Sequence, residues 1–269
     1  MHLPDAEKEK YLTEVRNYWE KVHSAYLEHV GTTFQAGRIK PGSQSQDARA
    51  SNQYLAARAG ILPGMRVLDA GCGVCGPAVD IASSIAGVSI AAITLSRAQA
   101  RTAKELVGCT GILSPIHVYV ADYHELPFKN AIFDLVFFFE SSGYCYDSSK
   151  LYLEIQRVLR AGGILYIKDV FKVERQLSGK EEGELIEFDK TFATKTASMS
   201  ETVNAISTAG LQILERRDLT EAVSTEHIRE ALFTLKDGTL CPTRFGELHI
   251  IAHRRLPVLF GEIRAIKPD

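Results

Sequence analysis

Little in this chain would let disulfides, membranes or polyanions organise it. Its five cysteines, Cys72, Cys75, Cys109, Cys145 and Cys241, are odd in number and scattered, which is not a disulfide framework. Cys72 and Cys75 form a Cys-x-x-Cys, but no second Cys or His pair stands at zinc spacing. Both therefore read as small residues of a crowded turn, and no metal is expected. No apolar run approaches the ~20 residues of a membrane-crossing helix, and residues 1–8 lack an apolar signal core. A cytoplasmic protein without a membrane span is the expectation. A surplus of one charge is missing too: 31 Lys and Arg face 33 Asp and Glu, a net charge of −2. That gives no drive towards nucleic acid, so none is expected as a partner. Tryptophan occurs once, at Trp19.

The chain is instead ordinary in bulk, with 45% hydrophobic and 24% charged residues. Its 269 residues suit one large domain, or one domain with added segments. Val67-Leu68-Asp69-Ala70-Gly71-Cys72-Gly73-Val74-Cys75-Gly76-Pro77 reads as strand, tight turn and helix. The glycines permit positive φ and close approach of a ligand to the start of the helix. A Gly-x-Gly-x-x-Gly turn alone is a weak dinucleotide signal.

Apolar residues at spacings of three and four, Tyr11, Val15, Tyr18, Trp19, Val22 and Tyr26, predict a helix over 6–30. It precedes the first strand and is either a surface helix or an aromatic lid. Residues 40–45 read as a loop, and 47–59 as a helix. Strands are expected at 88–93, 116–121, 133–139 and 164–170, with helices over 96–107 and 147–159 between them. The run 133–139 is apolar except for Asp134, as a strand buried on both faces would be. Alternating strands and helices imply a parallel sheet. Residues 171–195 are charged and loop-like, with sparse apolar residues of which some could form a short helix, and leave the carboxyl end of a strand, where ligands bind in such sheets. A helix over 199–209 with Ser200 as its cap, a strand from 211, a helix over 220–234, a turn at 236–238 and a last strand at 247–253 follow. Beyond 254 no pattern is decisive. The division is an N-terminal helical cap over 1–60, a core over 61–255 with the 171–195 insertion, and a tail over 256–269.

A nicotinamide site would want an acid about 20 residues past the glycine turn, but Ile93-Thr94-Leu95-Ser96 stands there. Acids occur at Asp69, before the turn, and at Asp122. With Leu126-Pro127-Phe128, Phe133-Asp134-Leu135-Val136 and Arg157-Val158-Leu159-Arg160-Ala161-Gly162-Gly163, the order of motifs resembles class I S-adenosylmethionine-dependent methyltransferases. The resemblance implies an α/β Rossmann-like fold, a seven-stranded, mostly parallel sheet with an antiparallel last strand. It also implies S-adenosyl-L-methionine as cofactor. Asp69, Gly71, Gly73 and Gly76 would lie by its methionine part, Thr94, Leu95 and Gln99 by the ribose and adenine, and Asp122 and Tyr123 by the adenine amine.

Ile93-Thr94-Leu95-Ser96-Arg97-Ala98-Gln99 and Glu140-Ser141-Ser142-Gly143-Tyr144 resemble the branch of sterol side-chain and geranyl diphosphate C-methyltransferases. There an alkene attacks the sulfonium methyl. Glu140 would be base or cation stabiliser, with Tyr144 beside it. The acceptor would be a small isoprenoid. Arg38, Lys168, Lys172, Arg175, Lys190 and Lys195 are candidates for meeting a diphosphate. The alternatives are an O- or N-methyltransferase of a polar natural product, and a non-catalytic binder. A homo-oligomer is left open, since the aromatic first helix could cap its own pocket or a neighbour's.

Overall fold

Phe133-Asp134-Leu135-Val136-Phe137-Phe138-Phe139 needs cover on both faces, and it forms the middle strand of seven. The computed structural model describes residues 4–39, 47–225 and 256–269. In chain order its elements are α1 (Asp5–His29), β1 (Arg38–Ile39), α2 (Ala48–Ala59), β2 (Arg66–Ala70), α3 (Gly76–Ser84), β3 (Ser89–Thr94), α4 (Arg97–Cys109), β4 (Ile116–Val120), β5 (Phe133–Phe139), α5 (Ser148–Val158), β6 (Leu159–Lys172), α6 (Gly179–Phe192), α7 (Met199–Thr208), β7 (Gln212–Asp218), β8 (Val223–Ser224) and β9 (Val258–Ile266). The large sheet runs β4-β3-β2-β5-β6-β9-β7, and β1 pairs with β8 apart from it. The first five strands are parallel to one another, while β9 is antiparallel to both β6 and β7.

Period-two alternation sorts the core. Leu135, Phe137 and Phe139 pack with Leu55 of α2 and Ile81 of α3. Val136 and Phe138 face the other way, onto Leu151 and Ile155 of α5 and Ile206 of α7. Helix starts follow short polar side chains that accept from the first-turn amides. Asp47 accepts from Arg49, Ser96 from Gln99, and Asp147 from Lys150. The α1 helix lies against α4, where Glu20 accepts from Ser96 Oγ at 2.9 Å and from the Ala98 amide at 3.1 Å.

Several sequence expectations need correction. Helix α7 is capped by Ser198, not Ser200, through a reciprocal box with Glu201. Within 171–195 the helix is longer than the short one allowed for: Ser178 and Glu181 form a second such box and start the 14-residue helix α6. Residues 256–269 are no patternless tail, because they hold β9 within the main sheet. Of the helix expected over 220–234, Thr220–Ala222 is a 3-10 turn and Val223–Ser224 a strand. The rest of that helix, the turn at 236–238, the strand at 247–253 and the loop at 40–45 lie outside the described residues.

Candidate active site

At the carboxyl end of β2 the chain turns through Gly71 at φ +97° and Gly73 at φ +54°. Cys75, at φ +69°, then starts α3. A cavity opens above this turn. The ends of β2, β3 and β5 form its floor, and α1 and the segment 32–35 form its roof. Asp69, Gly71, Gly73, Thr94, Leu95, Gln99, Tyr123, Glu140 and Tyr144 all line it. The topology thus gathers nine of the expected site residues at the end of the sheet where ligands bind.

Two expected residues stand elsewhere. A Cβ on Gly76 would lie 2.2 Å from the Thr32 carbonyl oxygen, so this glycine serves the close passage of the roof segment. Asp122 does not line the cavity. Its Oδ1 accepts from the His124 amide at 2.9 Å and from the ring Nδ1 at 2.7 Å. Burial of Asp122 works against ionisation, but these His124 contacts prevail and hold its carboxyl below the usual range.

Inside the cavity two buried polar atoms lack a partner. Asp69 is 2% exposed, its Oδ2 is bonded to nothing, and burial pushes its carboxyl up to about 8. Thr94 Oγ1 donates to Gln99 Oε1 at 2.7 Å, which leaves Gln99 Nε2 without an acceptor. One acceptor and one donor therefore await a ligand. Facing them is an aromatic wall. Trp19 stacks on Phe34 with centroids 6.0 Å apart and meets the edge of Tyr144 at 5.7 Å. Phe139 and Tyr123 complete it.

Glu140 lies at the end of β5 with φ +56°, an uncommon conformation for a side-chain-bearing residue. Its Oε2 accepts from the Ala36 amide at 2.5 Å and its Oε1 from the Gly37 amide at 2.9 Å. The Lys168 ammonium also donates to Oε1, and to the Gly37 carbonyl at 2.5 Å. Lys168 is fully buried, so it is the counter-ion of Glu140 and not a cation waiting for a diphosphate. Lys172 pairs with Glu201, Arg175 with Glu181, and Lys195 sits over the Tyr11 ring. Arg38 donates to the Val30 carbonyl. Behind Tyr144, Asp169 accepts from the Ser142 amide at 2.8 Å and hydroxyl at 2.6 Å. Burial nonetheless lifts it to about 6.

Sequence reading missed Val15, Thr32, Gln35, Cys72, Pro77 and Ser141 as lining residues. Ser141 had a signal, since it follows Glu140. A Cβ on Gly71 would lie 2.4 Å from the Ser141 Cβ, so turn and strand end were fitted to each other. Thr32 and Gln35 carry no periodic signal. Among the described residues no cluster of three His, Cys, Asp or Glu could hold a metal, and no helix is long and apolar enough to cross a membrane.

Residues 68–167 match the family model described as methyltransferase domain. A sterol 24-C-methyltransferase of Aspergillus fumigatus is 28% identical over 224 residues, which are 80% of this chain and 58% of that protein. This chain therefore spans under two thirds of that relative's length. Two solved structures share the fold: the [4+2]-cyclase SpnF, at TM-score 0.78, 22% identity and coverage of 94% and 96%, and a geranyl diphosphate C-methyltransferase of Streptomyces coelicolor A3(2), at TM-score 0.75, 19% identity and coverage of 96% and 97%. The strand order and the glycine turn agree with that match: residues 68–167 match a methyltransferase domain, and the described chain has the fold of the two solved structures.

Proposed function

We propose that this chain is an S-adenosylmethionine-dependent methyltransferase that methylates an alkene carbon of a small isoprenoid. One cavity supports this reading by joining two unpartnered polar atoms beside the glycine turn to an aromatic wall opposite. The residues fit the cofactor. Asp69 Oδ2 would accept from its amine, and Gln99 Nε2 would donate to a ribose oxygen. S-adenosylmethionine supplies an electrophilic methyl on a positively charged sulfur.

The protein's part is to hold the acceptor alkene against that methyl, keep water out and manage charge. Trp19, Phe34, Phe139 and Tyr144 present ring faces and edges to the cavity. A ring face attracts a cation by about 0.5–2 kcal/mol, which favours the carbocation left on the acceptor over neutral substrate. That cation must lose a proton. Glu140 and Tyr144 are the lining groups assigned here. Glu140 accepts from three donors, Gly37 and Lys168 at Oε1 and Ala36 at Oε2, which leaves a lone-pair site on Oε2 for that proton. Its first role is to fix the roof.

The test is incubation with methyl-labelled S-adenosylmethionine and a panel of prenyl diphosphates, sterol alkenes and phenols, read by mass spectrometry. Label on carbon of an isoprenoid is expected. Label on oxygen or nitrogen, or cofactor binding without turnover on any isoprenoid, overturns the reading.

A further inference from the structure

Outside the cofactor cavity lies a second set of aligned groups that methyl transfer does not use. Asp122 Oδ1 sits 2.7 Å from His124 Nδ1, and His124 Nε2 sits 3.3 Å from Cys145 Sγ. The carboxylate fixes the tautomer: Nδ1 carries the proton, and the Nε2 lone pair meets the thiol. His124 is 1% exposed and clamped, with its ring centroid 3.7 Å from that of Tyr146. Nucleophile, base and orienting acid thus stand in succession, each within hydrogen-bond reach of the next. Cys145 also opens onto its own cavity, between the Ser142–Tyr144 turn and the segment after α6. Ser142, Gly143, Tyr152, Phe171, Lys195 and Thr196 are among its walls.

We propose that Cys145, His124 and Asp122 form a thiol centre that adds to α,β-unsaturated carbonyl compounds entering this second cavity. The Cys145 sulfur bonds to the β-carbon. The alkene π pair moves onto the carbonyl as an enolate, and His124 Nε2 takes the thiol proton. It then returns that proton to the α-carbon, so nothing leaves and nothing is oxidised. Asp122 stabilises the transient imidazolium. Lys195, in the wall of the same cavity, meets the charge developing on the carbonyl oxygen.

Burial pushes the thiol up to about 12, and burial lowers His124. The resting pair is neutral thiol beside neutral imidazole, so attack uses general-base help and not a standing thiolate. This centre does not depend on the methyl-transfer reading. It does touch it, since Asp122 lies between Ala121 and Tyr123, both of which line the cofactor cavity.

N-ethylmaleimide, itself an α,β-unsaturated carbonyl, is the probe, with labelling rates followed per cysteine by peptide mass spectrometry. The exposed Cys109 is the internal reference. Cys145 is expected to label, with a rate nearly flat from about pH 7 to 9. His124→Gln is expected to slow Cys145 by at least about tenfold and leave Cys109 unchanged. Asp122→Asn should slow Cys145 by less. A Cys145 rate that climbs about tenfold per pH unit marks a bare thiolate and overturns the proposal. So does an unreactive Cys145, or one indifferent to His124→Gln. If that variant does not fold, the wild-type pH slope decides.

Discussion

Burial lifts the Asp69 carboxyl to about 8, while an unfolded aspartate titrates near ~4. The folded chain therefore keeps a proton that the unfolded chain has released. The stability this group contributes is full below ~4 and is lost as pH rises through the folded value. Without ligand, the melting temperature of the wild type should fall between roughly pH 5 and 8 relative to Asp69→Asn. An amine-bearing ligand reverses the sign, because it prefers the ionised carboxylate. Calorimetric affinity for S-adenosylmethionine should rise over that interval in the wild type and not in the variant. Parallel curves would refute the assignment of Asp69 Oδ2 to the amine. Glu140 and Lys168 make a different residue-scale prediction. Their side chains are 8% and 0% exposed, so Lys168→Met strands a buried carboxylate and should cost roughly 3–5 kcal/mol in urea unfolding. Adding Glu140→Gln should recover part of that loss. An additive double variant would show that the two do not act as a pair. Glu140 was legible as a strand-end acid facing the cavity. Its lysine was not, since Lys168 comes 28 residues later, on the neighbouring strand, and only the β5–β6 register brings them together.

At the scale of elements, legibility followed the regular patterns. The strands β2 to β5 are apolar runs with turn signals, and α2, α4 and α5 start within one residue of where the pattern puts them, each after a capping side chain. Element α6 buries only Phe188 and Phe192, too few to give a helical stripe, and its signature lay instead in the Ser178 and Glu181 spacing. The β9 strand carries Gly261, Glu262 and Arg264, which argue against an inner strand. It is one because Glu262 is satisfied by Arg58 at 2.5 Å and by the Tyr166 hydroxyl at 2.6 Å. Gly261 also leaves room for Met199, whose Cε would lie 2.2 Å from a Cβ there. Helix α1 is held by Glu20 at the start of α4, one residue from Trp19 in the cavity wall. Glu20→Ala removes one carboxylate from a helix start, which is worth only about 0.5–1 kcal/mol of stability. Ligand affinity should drop further than the melting temperature implies, and hydrogen exchange along α1 should quicken. Unchanged affinity would mean that α1 is a passive surface helix.

On the scale of the whole molecule, β9 enters the sheet between β6 and the edge strand β7, which no local pattern could reveal. β9 pairs with β6 over nine positions, from Ile164 opposite Ile266 to Lys172 opposite Val258, and with β7 over six. β6 supplies Lys168 to Glu140 and Asp169 to the Ser142 turn, so both anchors of the cavity stand on a strand that β9 supports. A chain cut after residue 255 would leave the β9-facing edge of β6 and all of β7 unpaired, and an open, apolar edge invites association between chains. It would also strip the cover from Tyr166 and leave Arg58 without Glu262. The cut protein should lose cooperative unfolding and S-adenosylmethionine binding together, and elute as aggregate in size-exclusion chromatography. A cut protein that stays monodisperse, melts as the full chain does and binds the cofactor would show that the site is built by residues 1–255 alone, and that β9 is an ornament of the sheet and not its closure.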